Sequence, residues 1–283
     1  MIVLQRIKDM KAFSHERKAA GVTIGLVPTM GYLHEGHLSL VRECRANADA
    51  TVVSIFVNPA QFGPNEDLQS YPRDLRQDVE MVKREGVDVV FAPPDYEMYP
   101  PGYRTFVEVH ELQDRLCGRT RPGHFRGVCT IVLKLFNIVR PDIAFFGWKD
   151  AQQLIILRKM AKDLNLDVKV EGIPLVRDAE GLALSSRNSY LSAKERRAAL
   201  VLSKGLREAE AMARAGEKSA KALISKVIET IREEPLACID YVDIVSMDDF
   251  APLERIDGDA LIALAVHIGK TRLIDNIRIS DKG

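Results

Sequence analysis

The chain has 283 residues, of which 46% are hydrophobic, so it can build one large domain or two ordinary ones. Forty Lys and Arg residues balance forty Asp and Glu residues, and no basic run offers the positive charge that a nucleic-acid partner requires. The apolar run near the start, Ile2 to Leu4, is too short for a signal-peptide core, and no apolar stretch approaches the length of a membrane span. We therefore expect a cytoplasmic protein with no nucleic-acid partner and no membrane partner.

The four cysteines are scattered along the chain, and none has a second Cys or a His at the spacing of a zinc site. Unpaired thiols of this kind are typical of a reducing compartment. The cysteines therefore indicate neither a metal centre nor a disulfide framework.

Short β-branched runs alternate with helical patterns over roughly the first 175 residues. In chain order we predict a strand at 23–27, a helix at 36–46, a strand at 51–57, a helix at 74–85, a strand at 87–92, a helix at 127–139, a strand at 143–146, a helix at 150–162 and a strand at 168–176. The strands are apolar on both faces. This pattern predicts an α/β fold with a parallel sheet and helices on both of its faces.

The pattern changes after about residue 176. A capping box, Ser192 to Glu195, opens a long helix that extends to about residue 215, and a second helix covers 219–233. Three strand-like runs follow at 239–245, 260–266 and 273–279, with no long helix between them, which favours an antiparallel or mixed sheet. We place a domain boundary near 175/176, before a smaller α+β domain.

Polar clusters follow several of the predicted strands, where ligands of open parallel sheets bind. Pro28–His37 follows the first of these strands, Asn58–Gln61 the second, and Gly147–Gln153 the strand at 143–146. A fourth cluster, Ser185-Ser186-Arg187, lies beyond the last strand of the N-terminal series. The first three clusters should lie at one edge of the sheet.

The first cluster contains the tetrapeptide His34-Glu35-Gly36-His37, an H-x-G-H pattern that opens a helix directly after a strand. Gly36 lets a phosphate approach the backbone, and the helix start supplies free N–H groups. The two imidazoles can reach the same side of the helix start and donate to phosphate oxygens. A zinc-protease helix would need His at position 38, where the chain has Leu38. The alternative is a pair of chance surface histidines, which the position between strand and helix disfavours.

Further side chains suit the chemistry of a nucleotide and a carboxylic acid. Lys149 can hold an α-phosphate during displacement, and Ser185-Ser186-Arg187 suits the β- and γ-phosphates. Gln61 and Gln153 are neutral amides that can bind hydroxyl and carboxylate groups while leaving a carboxylate free to attack phosphorus. Gly269-Lys270-Thr271 is not a phosphate loop, since that motif requires glycine at the position of Leu264. The residues therefore predict an enzyme that activates a small acid with ATP.

Seven motifs, spread in order over almost the whole chain, resemble the pantothenate synthetase (pantoate–β-alanine ligase) family of the H-x-G-H nucleotidylyltransferase superfamily. They are 28–37 (PTMGYLHEGH), 56–62 (FVNPAQF), 71–73 (YPR), 121–127 (RPGHFRG), 146–153 (FGWKDAQQ), 182–188 (LALSSRN) and 269–276 (GKTRLIDN). The resemblance implies a Rossmann-like domain over residues 1–175 that binds ATP and pantoate. It also implies that residues 176–283 form a small α+β domain that acts as a lid.

The resemblance further implies a two-step ligation in which pantoate and ATP form pantoyl-adenylate, and β-alanine then displaces AMP. His37 would be the proton donor, with His34 and Lys149 stabilising the transferred charge. Gln61 and Gln153 would bind pantoate, and Gln61 would also contact β-alanine. The residues implied to bind ATP are Met30, Gly31, Tyr32, Leu33, His34, Glu35, Gly36, His37, Gly147, Trp148, Lys149, Asp150, Val176, Leu184, Ser185, Ser186 and Arg187.

The family resemblance also implies Mg²⁺ as a cofactor, with unknown protein ligands, and a homodimer formed through the N-terminal domain. Three other interpretations remain open at this point. One is a nucleotidylyltransferase acting on another small acceptor, which would favour cations where this chain has Gln61 and Gln153. The others are a catalytically silent nucleotide sensor and a tRNA-charging enzyme, and the latter would need a further basic domain.

Overall fold

The computed structural model describes residues 1–64 and 66–280, and the chain divides into two compact units. Unit 1 comprises Met1–Gln113 and Arg121–Leu175, and unit 2 comprises Asp114–Thr120 and the chain from Val176 onward. The change of unit after Leu175 lies next to the predicted boundary near 175/176. The segment Asp114–Thr120 lies within the predicted N-terminal domain but belongs to unit 2.

Unit 1 is built around a six-stranded sheet. Its strands are β1 (Ile2–Leu4), β2 (Ile24–Thr29), β3 (Ala50–Ile55), β4 (Val89–Phe91), β5 (Ile143–Gly147) and β6 (Lys169–Ile173). Of the helices up to residue 163, all but α5 (Leu116–Thr120) belong to unit 1: α1 (Ile7–Ala19), α2 (Glu35–Asn47), α3 (Leu75–Arg84), α4 (Asp95–Met98), α6 (His124–Val139) and α7 (Ala151–Asp163). The strand order is β1-β4-β3-β2-β5-β6, and every neighbouring pair is parallel. The predicted parallel α/β fold is confirmed.

Both faces of this sheet are buried. On one face, apolar side chains of four strands pack against α2 and α3 in a single cluster, and they are Val27, Val53, Val90 and Phe145. Their neighbours along the strands point to the opposite face and are also fully buried, namely Leu26, Val52, Val89 and Ala144. Among the remaining helices, α6 contacts α1, α7 and β2. This two-sided burial explains why the strands read as continuous apolar runs.

Three elements of unit 1 were not predicted from the sequence, namely α1, β1 and the four-residue helix α4. In α1 the buried positions are Met10 and Ser14, while the rest of the helix is largely charged, so its apolar periodicity is weak. The three residues of β1 pair with β4 at the edge of the sheet, and a run this short carries little signal by itself. The strand predicted at 168–176 is shorter in the structure and ends at Ile173.

Unit 2 combines two long helices and the short α5 with a three-stranded sheet. The elements are α8 (Ala193–Arg214), α9 (Ala220–Arg232), β7 (Ala237–Ser246), β8 (Ala260–Ile268) and β9 (Thr271–Ile279). The sheet order is β7-β8-β9 with both pairs antiparallel, so the sheet is antiparallel rather than mixed. The capping box predicted at Ser192 and Glu195 is present at the start of α8. Apolar side chains of both helices and all three strands form one core.

The short helix α5 packs on β7 within unit 2. The Cys117 thiol lies 3.1 Å from the Tyr241 hydroxyl, and Thr120 donates a hydrogen bond to Asp240. Asp240 also forms an ion pair with Arg272 of β9 at 2.7 Å. These long-range contacts, which have no local sequence pattern, explain why residues 114–120 belong to unit 2.

Candidate active site

Three predicted polar clusters of unit 1 lie at the carboxyl ends of adjacent strands. The loop leading to α2 follows β2, Asn58–Gln61 follows β3, and the cluster Gly147–Gln153 begins at the last residue of β5. In the sheet β2 lies between β3 and β5, so parallel pairing brings the three strand ends to one edge. After β2 the chain adds β3 and β4 on one side of β2, whereas β5 and β6 lie on its other side. The strand order therefore reverses between β2 and β5, and open α/β sheets bind ligands at such a point.

The loop between β2 and α2 is held in an unusual backbone conformation. Gly31 and Tyr32 have φ angles of +83° and +51°, in the left-handed region that glycine adopts readily. Thr29 donates from its hydroxyl to the Ser54 carbonyl at 2.8 Å and accepts from the Gly31 N–H at 3.2 Å. Thr29, the last residue of β2, therefore anchors the start of the loop to β3.

Asp78 of α3 anchors the other half of this loop. Its two carboxylate oxygens accept hydrogen bonds from the N–H groups of Tyr32 and Leu33, at 2.8 and 2.7 Å. A Cβ atom on Gly31 would lie only 2.8 Å from Asp78 Oδ2, so the loop and the carboxylate fit only with glycine there. Burial raises the pKa of Asp78, while the two N–H donors oppose that shift. Sequence reasoning missed Asp78, because an acidic residue on a charged helix gives no sign of a partner 45 residues away.

The two histidines cap α2 reciprocally. His34 is the N-cap residue and its Nδ1 accepts from the Gly36 N–H at 3.2 Å, while His37 Nδ1 accepts from the His34 N–H at 3.4 Å. The ring centroids are 4.1 Å apart. A backbone N–H can only donate, so each Nδ1 must be unprotonated. In its neutral form each ring therefore carries its proton on Nε2.

Both histidines are neutral at physiological pH. Burial, followed by the charge of Lys149, lowers the pKa of His34 to about 4, and Asp150 partly opposes this. Burial, the neighbouring His34 and Lys149 hold the pKa of His37 well below its usual range. The Lys149 ammonium also lies 3.6 Å from the Asp150 carboxylate. The site thus combines one cation with two neutral Nε2–H donors, a set that suits phosphate oxygens.

Gln61 connects the second cluster to the first. It is only 9% exposed, and its Nε2 donates to the Met30 sulfur at 3.1 Å. Its Oε1 accepts from Asn58 at 2.9 Å, and Asn58 also donates to the Gly127 carbonyl at 3.1 Å. The structure therefore brings two of the predicted residues, Met30 and Gln61, into direct contact.

Two partly buried side chains, His124 and Arg121, also hold the backbone of Gln61. Its carbonyl accepts from His124 Nδ1 at 2.8 Å and from Arg121 at 3.4 Å. Arg121 in turn forms a bidentate ion pair with Glu66. Arg121 and His124 belong to the motif at 121–127 that resembles the family, although the residues alone suggested no contact with Gln61.

The third cluster continues into α7. Asp150 is the N-cap residue of α7, but its side chain makes no capping hydrogen bond. Gln153 lies partly buried in the first turn of this helix. The Arg158 guanidinium lies over the Trp148 ring, with its central carbon atom 5.5 Å from the ring centroid.

The remaining predicted residues lie in unit 2 and form a cluster there. The Leu184 N–H donates to the Val176 carbonyl at 3.0 Å, which places these two residues side by side. Ser185 caps the following short helical turn by accepting from the Arg187 N–H at 3.3 Å. Ser186 is buried and Arg187 is partly buried. Arg177, which follows Val176 in the chain, forms a bidentate ion pair with Asp275 of β9.

Together these features define an α/β protein of the H-x-G-H class, with hydrogen-bond donors suited to phosphate at the edge of a parallel sheet. Comparison with known proteins narrows this class. The family model described as pantoate-beta-alanine ligase matches residues 2–278. A pantothenate synthetase of Pelotomaculum thermopropionicum is 56% identical over 276 residues, covering 98% of both chains.

Solved structures give the same result. The crystal structure of pantothenate synthetase from Thermus thermophilus matches with a TM-score of 0.93 and 41% identity, over 98% of this chain and 99% of the other. A pantoate-beta-alanine ligase from Francisella tularensis, complexed with βγ-ATP and β-alanine, matches with a TM-score of 0.79 and 35% identity, over 98% and 97%. The chain belongs to the pantoate–β-alanine ligase family, as its motifs predicted. A nucleotidylyltransferase acting on another acceptor is not favoured.

Proposed function

We propose that this enzyme condenses (R)-pantoate with β-alanine to pantothenate, driven by the cleavage of ATP, in the biosynthesis of pantothenate and coenzyme A. In the first step a pantoate carboxylate oxygen attacks the α-phosphorus of ATP, and pyrophosphate leaves. In the second step the β-alanine amine attacks the acyl carbon, loses a proton and releases AMP. The observation that carries the proposal is the pair of neutral histidines beside Lys149 at the edge of the sheet. Family membership supports the choice of acid and amine.

We assign the first step to the donors of unit 1. Negative charge grows on the α-phosphate oxygens as the carboxylate attacks, and fixed donors aimed at those oxygens stabilise the transition state most. Lys149, His34 and His37 supply one cation and two Nε2–H groups. As a neutral ring His37 acts here by hydrogen bonding, and a role as proton donor would require the charge of bound ATP to raise its pKa. Met30–His37 and Gly147–Asp150 would line the nucleotide.

We assign the acid to Gln61 and Gln153, and β-alanine to the vicinity of Gln61. Both side chains are neutral amides, which would bind the carboxylate less strongly than a cation would. The carboxylate would therefore remain a good nucleophile. In unit 2, Val176 would contact the adenine side, and Leu184, Ser185, Ser186 and Arg187 the phosphates. The support in unit 2 is the clustering of these residues around the Leu184–Val176 hydrogen bond.

We propose that Mg²⁺ enters with the phosphates of ATP. Across residues 1–64 and 66–280, no group of three His, Cys, Asp or Glu side chains could hold a metal ion. In nucleotide sites Mg²⁺ is bound by substrate phosphates with one or two carboxylates and several waters. Asp150, whose side chain is 46% exposed beside Lys149, fits the part of such a carboxylate. The metal would draw charge from the leaving pyrophosphate.

We also propose a cytoplasmic enzyme that binds small molecules and no nucleic acid. All four cysteines are free thiols, which suits a reducing compartment. The formal net charge is zero. Within the part of the chain that the structure describes, no helix is both long enough and apolar enough to cross a membrane.

Isotope exchange tests the proposed reaction. Labelled pyrophosphate should exchange into ATP when pantoate and Mg²⁺ are present, without β-alanine, because the adenylate forms before the amine reacts. AMP release against a panel of acids and amines should be greatest with pantoate and β-alanine together. Exchange that requires β-alanine would contradict the two-step order, and exchange without any acid would favour a different acceptor.

We further propose that two copies associate through unit 1. Residues 104–108, Arg-Thr-Phe-Val-Glu, have a strand-like composition but lie outside the helices and strands, and Phe106 is 40% exposed. The Val107 N–H points inward and donates to Thr130 at 3.0 Å. Antiparallel pairing of two copies about Phe106 would place Arg104 opposite Glu108 of the partner subunit, a favourable cross-strand pair.

The mass in solution tests this association. Phe106→Asp would place two carboxylates opposite each other at the centre of the pair and is expected to yield monomers. Tyr96→Asp is the matched control, since Tyr96 is 67% exposed and lies outside the segment. Light scattering during size-exclusion chromatography should show a dimer for the wild type and the control. A dimeric Phe106→Asp variant would exclude this interface, and a monomeric wild type would exclude the homodimer.

A further inference from the structure

Asn58 is the centre of a hydrogen-bond network in which every donor and acceptor of its amide is used. The side chain is 1% exposed. Its Nδ2 donates to the Gly127 carbonyl at 3.1 Å and to Gln61 Oε1 at 2.9 Å. Its Oδ1 accepts from the Ala60 N–H at 3.3 Å and from the Tyr99 hydroxyl at 2.7 Å. An amide offers two protons and two lone pairs, so no capacity remains.

Two of these partners are backbone groups, and they determine which way the Asn58 amide faces. The Ala60 N–H can only donate, so it requires the oxygen of Asn58, and the Gly127 carbonyl can only accept, so it requires the nitrogen. Rotating the amide by 180° would break both bonds inside a buried site, at the desolvation cost of two polar groups. The polarity of Asn58 therefore follows from the backbone.

The orientation of the Asn58 amide determines the orientation of the Gln61 amide. Since Asn58 presents an N–H to Gln61, the atom of Gln61 that faces it must be Oε1. The Gln61 NH2 group consequently points the other way, where its described contact is the Met30 sulfur at 3.1 Å. Thioether sulfur is a weak acceptor, so a ligand oxygen would be a better partner for that N–H. Gln61 thus offers a donor, rather than an acceptor, to a ligand.

Tyr99 occupies the far end of this network. Because its hydroxyl faces Asn58 Oδ1, it must be the donor in that bond. Its ring packs edge-on against Tyr103 at 5.0 Å between centroids, and the Lys134 ammonium lies over both rings. Burial and the neighbouring Tyr103 raise the pKa of Tyr99, so the hydroxyl keeps its proton at physiological pH. Nothing in the sequence pattern singled out Tyr99.

We propose that Tyr99 is a positioning residue that acts through Asn58 to hold the Gln61 NH2 group toward the bound acid. The donor would meet a carboxylate or hydroxyl oxygen of the acid. The arrangement disfavours a ligand that presents only donors, such as an ammonium group, at this point. The proposal rests on the proposed function in one respect only, which is that Gln61 binds the acid.

Tyr99→Phe removes one hydroxyl and tests the positioning role. We expect the KM for pantoate to rise about 3- to 10-fold, the effect of losing one buried hydrogen bond, and the KM for ATP to change less than about 2-fold. Tyr103→Phe is the matched control, because it removes a hydroxyl from the adjacent ring of the same aromatic group without touching Asn58. A Tyr99→Phe variant with the kinetics of Tyr103→Phe would overturn the proposal.

A double-mutant cycle separates positioning from general packing. In a Gln61→Ala background, Tyr99→Phe should leave the KM for pantoate unchanged, because the group that it positions is gone. Additive effects of the two substitutions would show that Tyr99 does not act through Gln61. A wild-type enzyme that fails to ligate pantoate and β-alanine would instead contradict the proposed function, so the two failures are distinguishable.

Gln61→Glu tests the polarity without altering Tyr99, and so applies even if Tyr99→Phe folds poorly. The substitution keeps the shape of the side chain but replaces the NH2 donor by a carboxylate oxygen. We expect the KM for pantoate to rise at least about 10-fold more than in Gln61→Ala, because an acceptor would face an acceptor across a buried gap. Equal or milder effects of Gln61→Glu would show that the donor does not face the acid.

Discussion

Replacing Lys149 or His37 by alanine is expected to slow formation of pantoyl-adenylate about 100- to 1,000-fold, the usual effect of removing one fixed donor from a transition state. Both donors would act as charge develops on the transferred phosphate. Neither would contact the acyl carbon at which the amine attacks. Pre-made pantoyl-adenylate should therefore bypass the damaged step, and its reaction with β-alanine should be much less impaired.

Single-turnover kinetics of the two half-reactions measures these effects. Lys159→Ala is the control, since it removes an exposed lysine of α7 that pairs with Asp163. His37→Ala also removes the acceptor for the His34 N–H, so we expect a loss of about 1 kcal/mol in the free energy of unfolding, as for other helix caps. Lys149→Ala should melt like the wild type. Normal adenylation with a crippled second step would contradict the assigned roles.

Gly127→Ala is expected to lower kcat/KM for pantoate about 100-fold while adding only one methyl group. A Cβ atom at this position would lie 2.2 Å from the Ala60 carbonyl oxygen and 2.6 Å from the Gln61 Cα, so the turn after β3 would have to move. That turn carries Asn58 and Gln61, and a displacement of about 1 Å at a binding group can cost about 100-fold in rate. The crowding should also destabilise the fold by about 1–3 kcal/mol.

Gly258→Ala provides the matched control for this prediction. A Cβ atom on Gly258 would meet no atom within 4 Å, so the same chemical change should leave both the kinetics and the melting temperature close to the wild type. Pantoate and ATP should be varied separately, because only the acid is assigned to the turn. Wild-type kcat/KM for pantoate in Gly127→Ala would mean that the turn after β3 does not bind the acid.

Local patterns in the sequence predicted most of the elements and the position of the site. The apolar strands and the intervening helices predicted a parallel sheet because burial on both faces leaves a continuous apolar run. The H-x-G-H tetrapeptide was recognisable because a strand precedes it and a helix follows. The exceptions had weak local signals: α1 is largely charged, β1 has three residues, α4 has four, and α5 joins unit 2 through contacts more than 100 residues away.

Residue types at short spacing were enough to predict the class of fold, the two histidines at the start of α2 and the two glutamines assigned to the acid. How these side chains are held depends on contacts between distant parts of the chain. Asp78 fixes the loop of His34 from another helix, Gly127 leaves room for the turn of Gln61, and Tyr99 completes the network of Asn58. Each of these contacts joins residues more than 40 positions apart. Hydrogen-bond direction and burial, which set the charge of the histidines and the polarity of Gln61, arise only when the folded chain brings such residues together.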